Sequence, residues 1–203
     1  MGERGRPRSF DRANALQRAM ELFWAKSFEG VSLSDLTTTM GINPPSLYAA
    51  FSSKEALFRE AVELYRSTEG SRIWSCLDIA ATARDAVFGM LRKSAEDFSR
   101  TDKPRGCLVV LGALHSDLSN TAVNRDLADL RVQSVMQLQE RLQRGVEEGE
   151  LSQAVDVQAI ATFYVTVQQG MSIQARDGAS REMLLATADC AMVAWDGLVA
   201  GQA

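Results

Sequence analysis

Apolar residues along this chain recur every three or four positions and almost nowhere every second one, so the pattern predicts an all-α protein. Leu16, Ala19, Met20 and Phe23 form the first stripe and predict a helix over 11–26, closed off by Gly30. In "SLSDLTTTMG", Ser32 and Asp35 have capping-box spacing, Leu33, Leu36 and Met40 share a face, and Gly41 stops the segment. "NPPSLYAAF" and "SSKEALFREAVELYRS" predict two further helices, the second with Ser52 and Glu55 spaced as a capping box. Longer amphipathic segments are expected over 82–100, 107–118, 121–148, 156–176 and 180–199, separated by turn-forming stretches such as "TDKPRG" and "DGAS". The expected layout is a small helical head, residues 1–53, running through a continuous helix into a larger helical body, residues 54–203.

Two adjacent prolines within a helical pattern mark a helix start. The first N–H groups of a helix have no intrahelical acceptor, so Pro44 and Pro45 sacrifice no ladder bond at the first two positions behind an Asn43 cap. Because a residue before proline is pushed out of the α region, Pro44 is the competing candidate for the cap. Either way, a helix closed by Gly41 and followed by a tight turn and a second short helix is a helix-turn-helix pattern. Leu47 and Phe51, four apart, anchor the second helix. Ser46, Tyr48, Ala49 and Ala50 are left on or near its outer face. Candidate DNA contacts are Arg8 in an N-terminal arm, Ser32, Asn43, Pro44, Pro45, Ser46, Tyr48, Ala49 and Lys54. The Tyr48 hydroxyl and the Lys54 ammonium suit phosphate, and the prolines suit thymine methyl groups. The bland readings are Tyr48 packed on the first helix, a solvated Lys54, and an ordinary tail of arginines.

"VSLSDLTTTMGINPPSLYAAFSSKEALF" resembles the DNA-binding signature of TetR-type transcriptional regulators, matching it at Gly41, Leu47, Tyr48, Phe51, Lys54, Glu55, Leu57 and Phe58. The preceding segment fits the first helix of such proteins at Ala19, Leu22, Phe23, Phe28 and Gly30. The resemblance implies a three-helix DNA-binding head and a helical body that binds a small molecule and dimerises through its last two helices. Ligand binding then releases DNA. The sequence departs from the signature at Asn43-Pro44-Pro45 and at Ala49-Ala50, which leaves few side chains able to read bases.

Net charge is −4 over 203 residues, which by itself argues against a nucleic-acid partner. Its distribution reverses that picture: among the first 18 residues five arginines face only Glu3 and Asp11, whereas residues 67–203 carry an acidic excess. No apolar run is long enough to span a bilayer, no signal peptide opens the chain, and Cys76, Cys107 and Cys190 do not form a disulfide framework, so a cytoplasmic protein without a membrane partner is expected.

His115 is the single histidine, and no metal-ligand or nucleotide-binding motif appears, so the expectation is no cofactor, no metal and no enzymatic activity. Candidate effector-pocket residues are Trp74, Phe88, Leu91, Cys107, Leu111, Leu114, His115, Phe163, Val167 and Met171, with Gln168 and Gln169 as polar contacts. Their apolar character points to a hydrophobic or aromatic effector, and core packing is the rival reading. Cys107 stands behind Arg105 at an expected helix start. Both features favour thiolate, so an electrophile- or redox-sensing regulator is the alternative function. An all-helical enzyme and a protein-interaction module are more distant rivals. Phe163, Leu184, Ala188, Met192 and Trp195 are the expected dimer interface, with packing inside one subunit as the alternative.

Overall fold

The computed structural model describes residues 11–113 and 121–200, and every regular element among them is helical. Helix α1 (Arg12–Lys26) starts at Asp11, whose carboxylate accepts the N–H groups of Ala13 and Asn14 at 3.0 and 3.1 Å. In α2 (Leu33–Met40), Ser32 Oγ accepts the Asp35 N–H at 3.0 Å and Asp35 accepts the Ser32 N–H at 2.9 Å, closing the expected capping box. Gly41 ends α2 at φ +71°, a left-handed conformation that costs an L side chain about 1–2 kcal/mol. Leu36 and Met40 are buried, but Leu33 is 39% exposed, because a first-turn side chain leans past the helix end.

Asn43 caps α3 (Pro44–Phe51), its side chain accepting the Ser46 N–H at 2.9 Å, with both prolines in the first turn. The cap of α4 (Lys54–Tyr65) is Ser53 and not Ser52: Ser53 Oγ accepts the Ala56 N–H at 3.1 Å. Ser52 is used for the reversal between the helices, with φ +65° and its N–H returned to the Tyr48 carbonyl at 2.9 Å. Phe58 of α4 meets the edges of Phe23 and Phe28 at 5.0 and 5.1 Å, and this aromatic cluster joins α4 to α1.

Beyond Tyr65 the helix widens into a π turn, Arg66–Gly70, before α5 (Ser71–Trp74) and α6 (Cys76–Ile79). The hydroxyls of Ser67, Thr68 and Ser71 donate to carbonyls three and four residues back, which loosens the ladder where the turn widens. Segments of four residues are too short to show a period, so the apolar pattern does not predict α5 or α6.

The body is built on α7 (Ala83–Phe98), whose Ala86, Val87, Met90, Leu91 and Ala95 are fully covered. Around it lie α8 (Leu108–Leu111), α9 (Thr121–Glu147), α10 (Val157–Arg176), α11 (Arg181–Val193) and α12 (Trp195–Val199). Of the expected helix over 107–118, the described residues show α8 and then a turn at Gly112, whose carbonyl accepts the Phe28 N–H at 2.8 Å; residues 114–118 lie outside the described residues. The expected helix over 180–199 is divided at Ala194, where the N–H bonds three residues back, to Ala191. At the far end, Glu150 accepts from both Arg141 and the Ala83 N–H, tying α9 to the start of α7.

Head and body are further joined at the end of α1. The Arg176 guanidinium donates to the carbonyls of Trp24, Ala25 and Arg105 at 2.7, 3.1 and 3.0 Å. Gly106, at φ +78°, lets this loop run tightly over α10: a Cβ there would come within 2.7 Å of the Ser172 carbonyl.

Candidate nucleic-acid interface and effector cavity

The second helix of the head, α3, is held from beneath by Leu47 and Phe51, both buried, and presents its other face outward. Tyr48 is 46% exposed; Ala49, Asn43, Pro44 and Pro45 are exposed, and Ser46 is half-buried. The helix is fixed from the side by Arg12, whose guanidinium donates to the Ala50 carbonyl at 3.2 Å, pairs with Glu60 at 2.8 Å and lies over the Phe51 ring at 4.3 Å. Lys54, in the first turn of α4, stands with its ammonium 4.2 Å from the centre of the Phe28 ring. Burial there lowers its pKa, against the pull of Glu29 and Glu55. The Ser32 hydroxyl is exposed but already donates to Asp35 at 2.6 Å.

A cavity of about 250 Å³ opens where the end of α4, the π turn and α5 face α9, with α8 and α10 behind. Tyr65, Ile73, Trp74, Val109, Val110 and Leu130 supply apolar wall. Arg131, Gln133, Ser134 and Gln137 line it from α9, Gln168 and Gln169 from α10, and Glu63, Arg66 and Ser67 from the end of α4 and the π turn. Glu63 and Arg66 pair with each other at 3.0 Å. Arg131 donates to the Val109 carbonyl at 3.1 Å, and burial lowers its pKa from the usual arginine range.

This combination of an outward second helix and a separate body cavity coincides with the sequence comparisons. Residues 15–61 match the model of the bacterial regulatory proteins of the tetR family, and residues 83–189 match the tetracyclin repressor-like C-terminal domain. The chain belongs to the TetR family. It is similar to the HTH-type transcriptional repressor ComR of Escherichia coli (strain K12), with 35% identity covering 97% of this chain and 94% of ComR. The repressor BdcR of the same organism is 33% identical, with 91% of this chain and 88% of BdcR covered. Among solved structures, a cysteine mutant of the TetR-family regulator CifR in complex with a 26-base-pair double-strand operator DNA superposes with a TM-score of 0.91. It is 47% identical over 94% of this chain and 100% of that one. This TetR-family member is thus a helix-turn-helix DNA-binding transcriptional regulator.

Several expected site residues fall elsewhere. Of the expected pocket set, Trp74 and Cys107 line the cavity, as do both glutamines. Leu91 and Met171 are packed in the core, and Leu111 and Val167 lie partly buried against it. Phe88 borders a shallow depression with Met192 and Asp196, and Phe163 is 39% exposed. Leu114, His115 and Arg8 lie outside the described residues. The cavity wall is more polar than expected, because α9 faces it with side chains that read in sequence as a solvated surface. Arg131 is the main residue missed, and its half-burial leaves no mark in a sequence pattern.

Cys107 is buried, and burial pushes its thiol up, with the Tyr65 hydroxyl pulling against it. The expectation of a thiolate at a helix start is thereby corrected: α8 has only four residues, and desolvation is the largest influence. Of the expected dimer residues, Leu184, Ala188 and Met192 of α11 and Trp195 of α12 are buried within the chain itself; α11 packs on α7, and the Trp195 ring lies 5.9 Å from that of Tyr164 in α10. The exposed apolar positions of α10 and α11 are instead Phe163, Ile173, Met183 and Val193.

Proposed function

We propose that the chain represses transcription as a homodimer on a palindromic operator and lets go of it when a small molecule occupies the body cavity. Residues 1–53 are assigned to DNA and residues 54–203 to the effector and the second subunit. The observation that carries the release step is a shared boundary: Tyr65 ends the helix that braces the recognition helix and also lines the cavity. Cys107, another lining residue, follows Gly106, to which Trp24 of α1 is hydrogen-bonded. A ligand that reshapes this wall displaces α4 and α1 together, and with them the spacing of the two α3 helices. It does so only as far as it binds the DNA-incompetent arrangement more tightly.

On DNA, Tyr48 and Lys54 serve as phosphate donors, Ser46 and Ala49 face the groove floor, and Pro44 and Pro45 offer apolar contact to thymine methyls. Asn43 keeps its side chain for the cap. Arg8 belongs to an arm reaching the minor groove. The second subunit docks on the exposed faces of α10 and α11, around Phe163, Ile173, Met183 and Val193. The chain acts in the cytoplasm as a regulator and not as a catalyst; the repressors to which it is similar support this reading.

Selection of bound fragments from random-sequence DNA tests the proposal, with a palindrome as the expected product and a flat selection as its refutation. Affinity for the selected site should fall with salt at a slope of about −0.9 per phosphate neutralised. Tyr48→Phe should weaken binding about tenfold or more, the worth of one hydrogen bond to a charged phosphate, while leaving thermal stability unchanged.

A further inference from the structure

Gln168 is 3% exposed, lines the cavity, and makes no hydrogen bond to any described residue. An amide at the cavity surface takes its hydrogen-bond partners from what enters the cavity, water or a ligand. Arg131, which lines the same cavity from α9, has no carboxylate partner among the described residues, and among them only one of its five N–H donors is directed to a protein carbonyl. The remaining charged pair at the cavity, Glu63 with Arg66, is already matched within itself. The cavity lining therefore combines a cation without a carboxylate partner among the described residues, an amide without a hydrogen-bond partner among them, and the aromatic side chain of Trp74. Its volume of about 250 Å³ corresponds to about eight waters at ~30 Å³ each, room for one ring or short alkyl chain and an acid group.

We propose that the cavity takes a small organic carboxylate, its acid group held by the Arg131 guanidinium and the Gln168 amide and its apolar body laid against Trp74 and Ile73. The proposal rests on the reading of this cavity as the effector site. A planar guanidinium matches the two oxygens of a carboxylate, and a charge-assisted hydrogen bond in a half-buried site is stronger than one to a neutral amide. A bare inorganic anion would satisfy the arginine but leave the aromatic wall uncovered.

The test uses the full-length protein, titrated calorimetrically with phenylacetate, benzoate and hexanoate, with their primary amides, and with inorganic phosphate. At least one acid should bind about tenfold or more tighter than its amide and than phosphate. Arg131→Met should abolish that preference, and Gln168→Leu should weaken acid binding severalfold. Circular dichroism establishes that each variant is folded, and the acid–amide comparison on the unaltered protein stands without them. Amides binding as well as acids, phosphate binding as well as acids, or no acid binding up to its solubility limit would each overturn the proposal. Operator release is followed in the same titrations. Acid binding without release upholds the ligand class and defeats the effector reading, whereas release by neutral compounds alone defeats the ligand class and leaves the effector reading intact.

Discussion

The indole N–H of Trp24, in the last turn of α1, donates to the carbonyl of Gly106 at 3.0 Å, so the DNA-binding head and the helical body share a buried hydrogen bond. Gly106 is followed by Cys107, whose own N–H donates to Ser172 Oγ of α10 at 2.8 Å. The chain of contacts thus runs from α1 through one short loop to α10, passing Cys107 of the cavity lining.

Trp24→Phe keeps an aromatic ring but removes the donor and leaves the Gly106 carbonyl unpaired in a buried place. The expected loss is about 1–3 kcal/mol of stability, read from denaturant unfolding. If the bond also couples the two parts, the variant should show a smaller change in operator affinity on effector addition than the parent protein. An unchanged unfolding midpoint would contradict the importance assigned to the bond.

The helix-turn-helix depends on two local devices of different chemistry. Asn43→Ala removes the cap from the Ser46 N–H and should cost about 0.5–2 kcal/mol. Gly41→Ala meets no close neighbour, the nearest atom being Arg18 Nη1 at 4.0 Å, so its penalty of about 1–2 kcal/mol comes from φ +71° alone. Both losses should appear in thermal unfolding. A Gly41→Asn variant, which tolerates the left-handed region better than alanine, should recover part of the second loss.

Asp102 is held down to a pKa of about 2 by its two-pronged contact with Arg100, at 3.0 and 2.6 Å. The hydrogen bond to Asp102, with the charges of Glu69 and Asp102, raises the pKa of Arg100 against the opposing effect of burial and keeps its charge fixed. A depressed carboxylate adds stability above its ordinary pKa of about 3.9, and that contribution disappears as pH falls toward 2. Carboxyl resonances followed by NMR should place the Asp102 midpoint near 2. In Arg100→Gln it should return to the ordinary carboxylate range; a midpoint that does not move would rule out the arginine as the cause.

How much of this was readable beforehand depends on the range of the forces involved. Asn43, the proline pair, the Ser32–Asp35 box and Gly41 act within four residues of themselves, so they mark α2 and α3 in any context. Leu47 and Phe51 reveal the buried side of α3 by spacing alone. The cap of α4 was misplaced by one residue because Ser52 and Ser53 are chemically equal in sequence, and only the reversal of the backbone decides which one turns and which one caps.

The identity of the head, the all-helical class and the family were therefore set by the one-dimensional string, through capping chemistry and apolar spacing. The cavity was decided only in three dimensions. Its wall is assembled from residues as far apart as Glu63 and Gln169, and the same Arg131 would be a plain surface cation on an isolated amphipathic helix. What turns it inward is the packing of α9 across α10 and α8, a long-range contact whose energy comes from burying apolar area contributed by several helices at once.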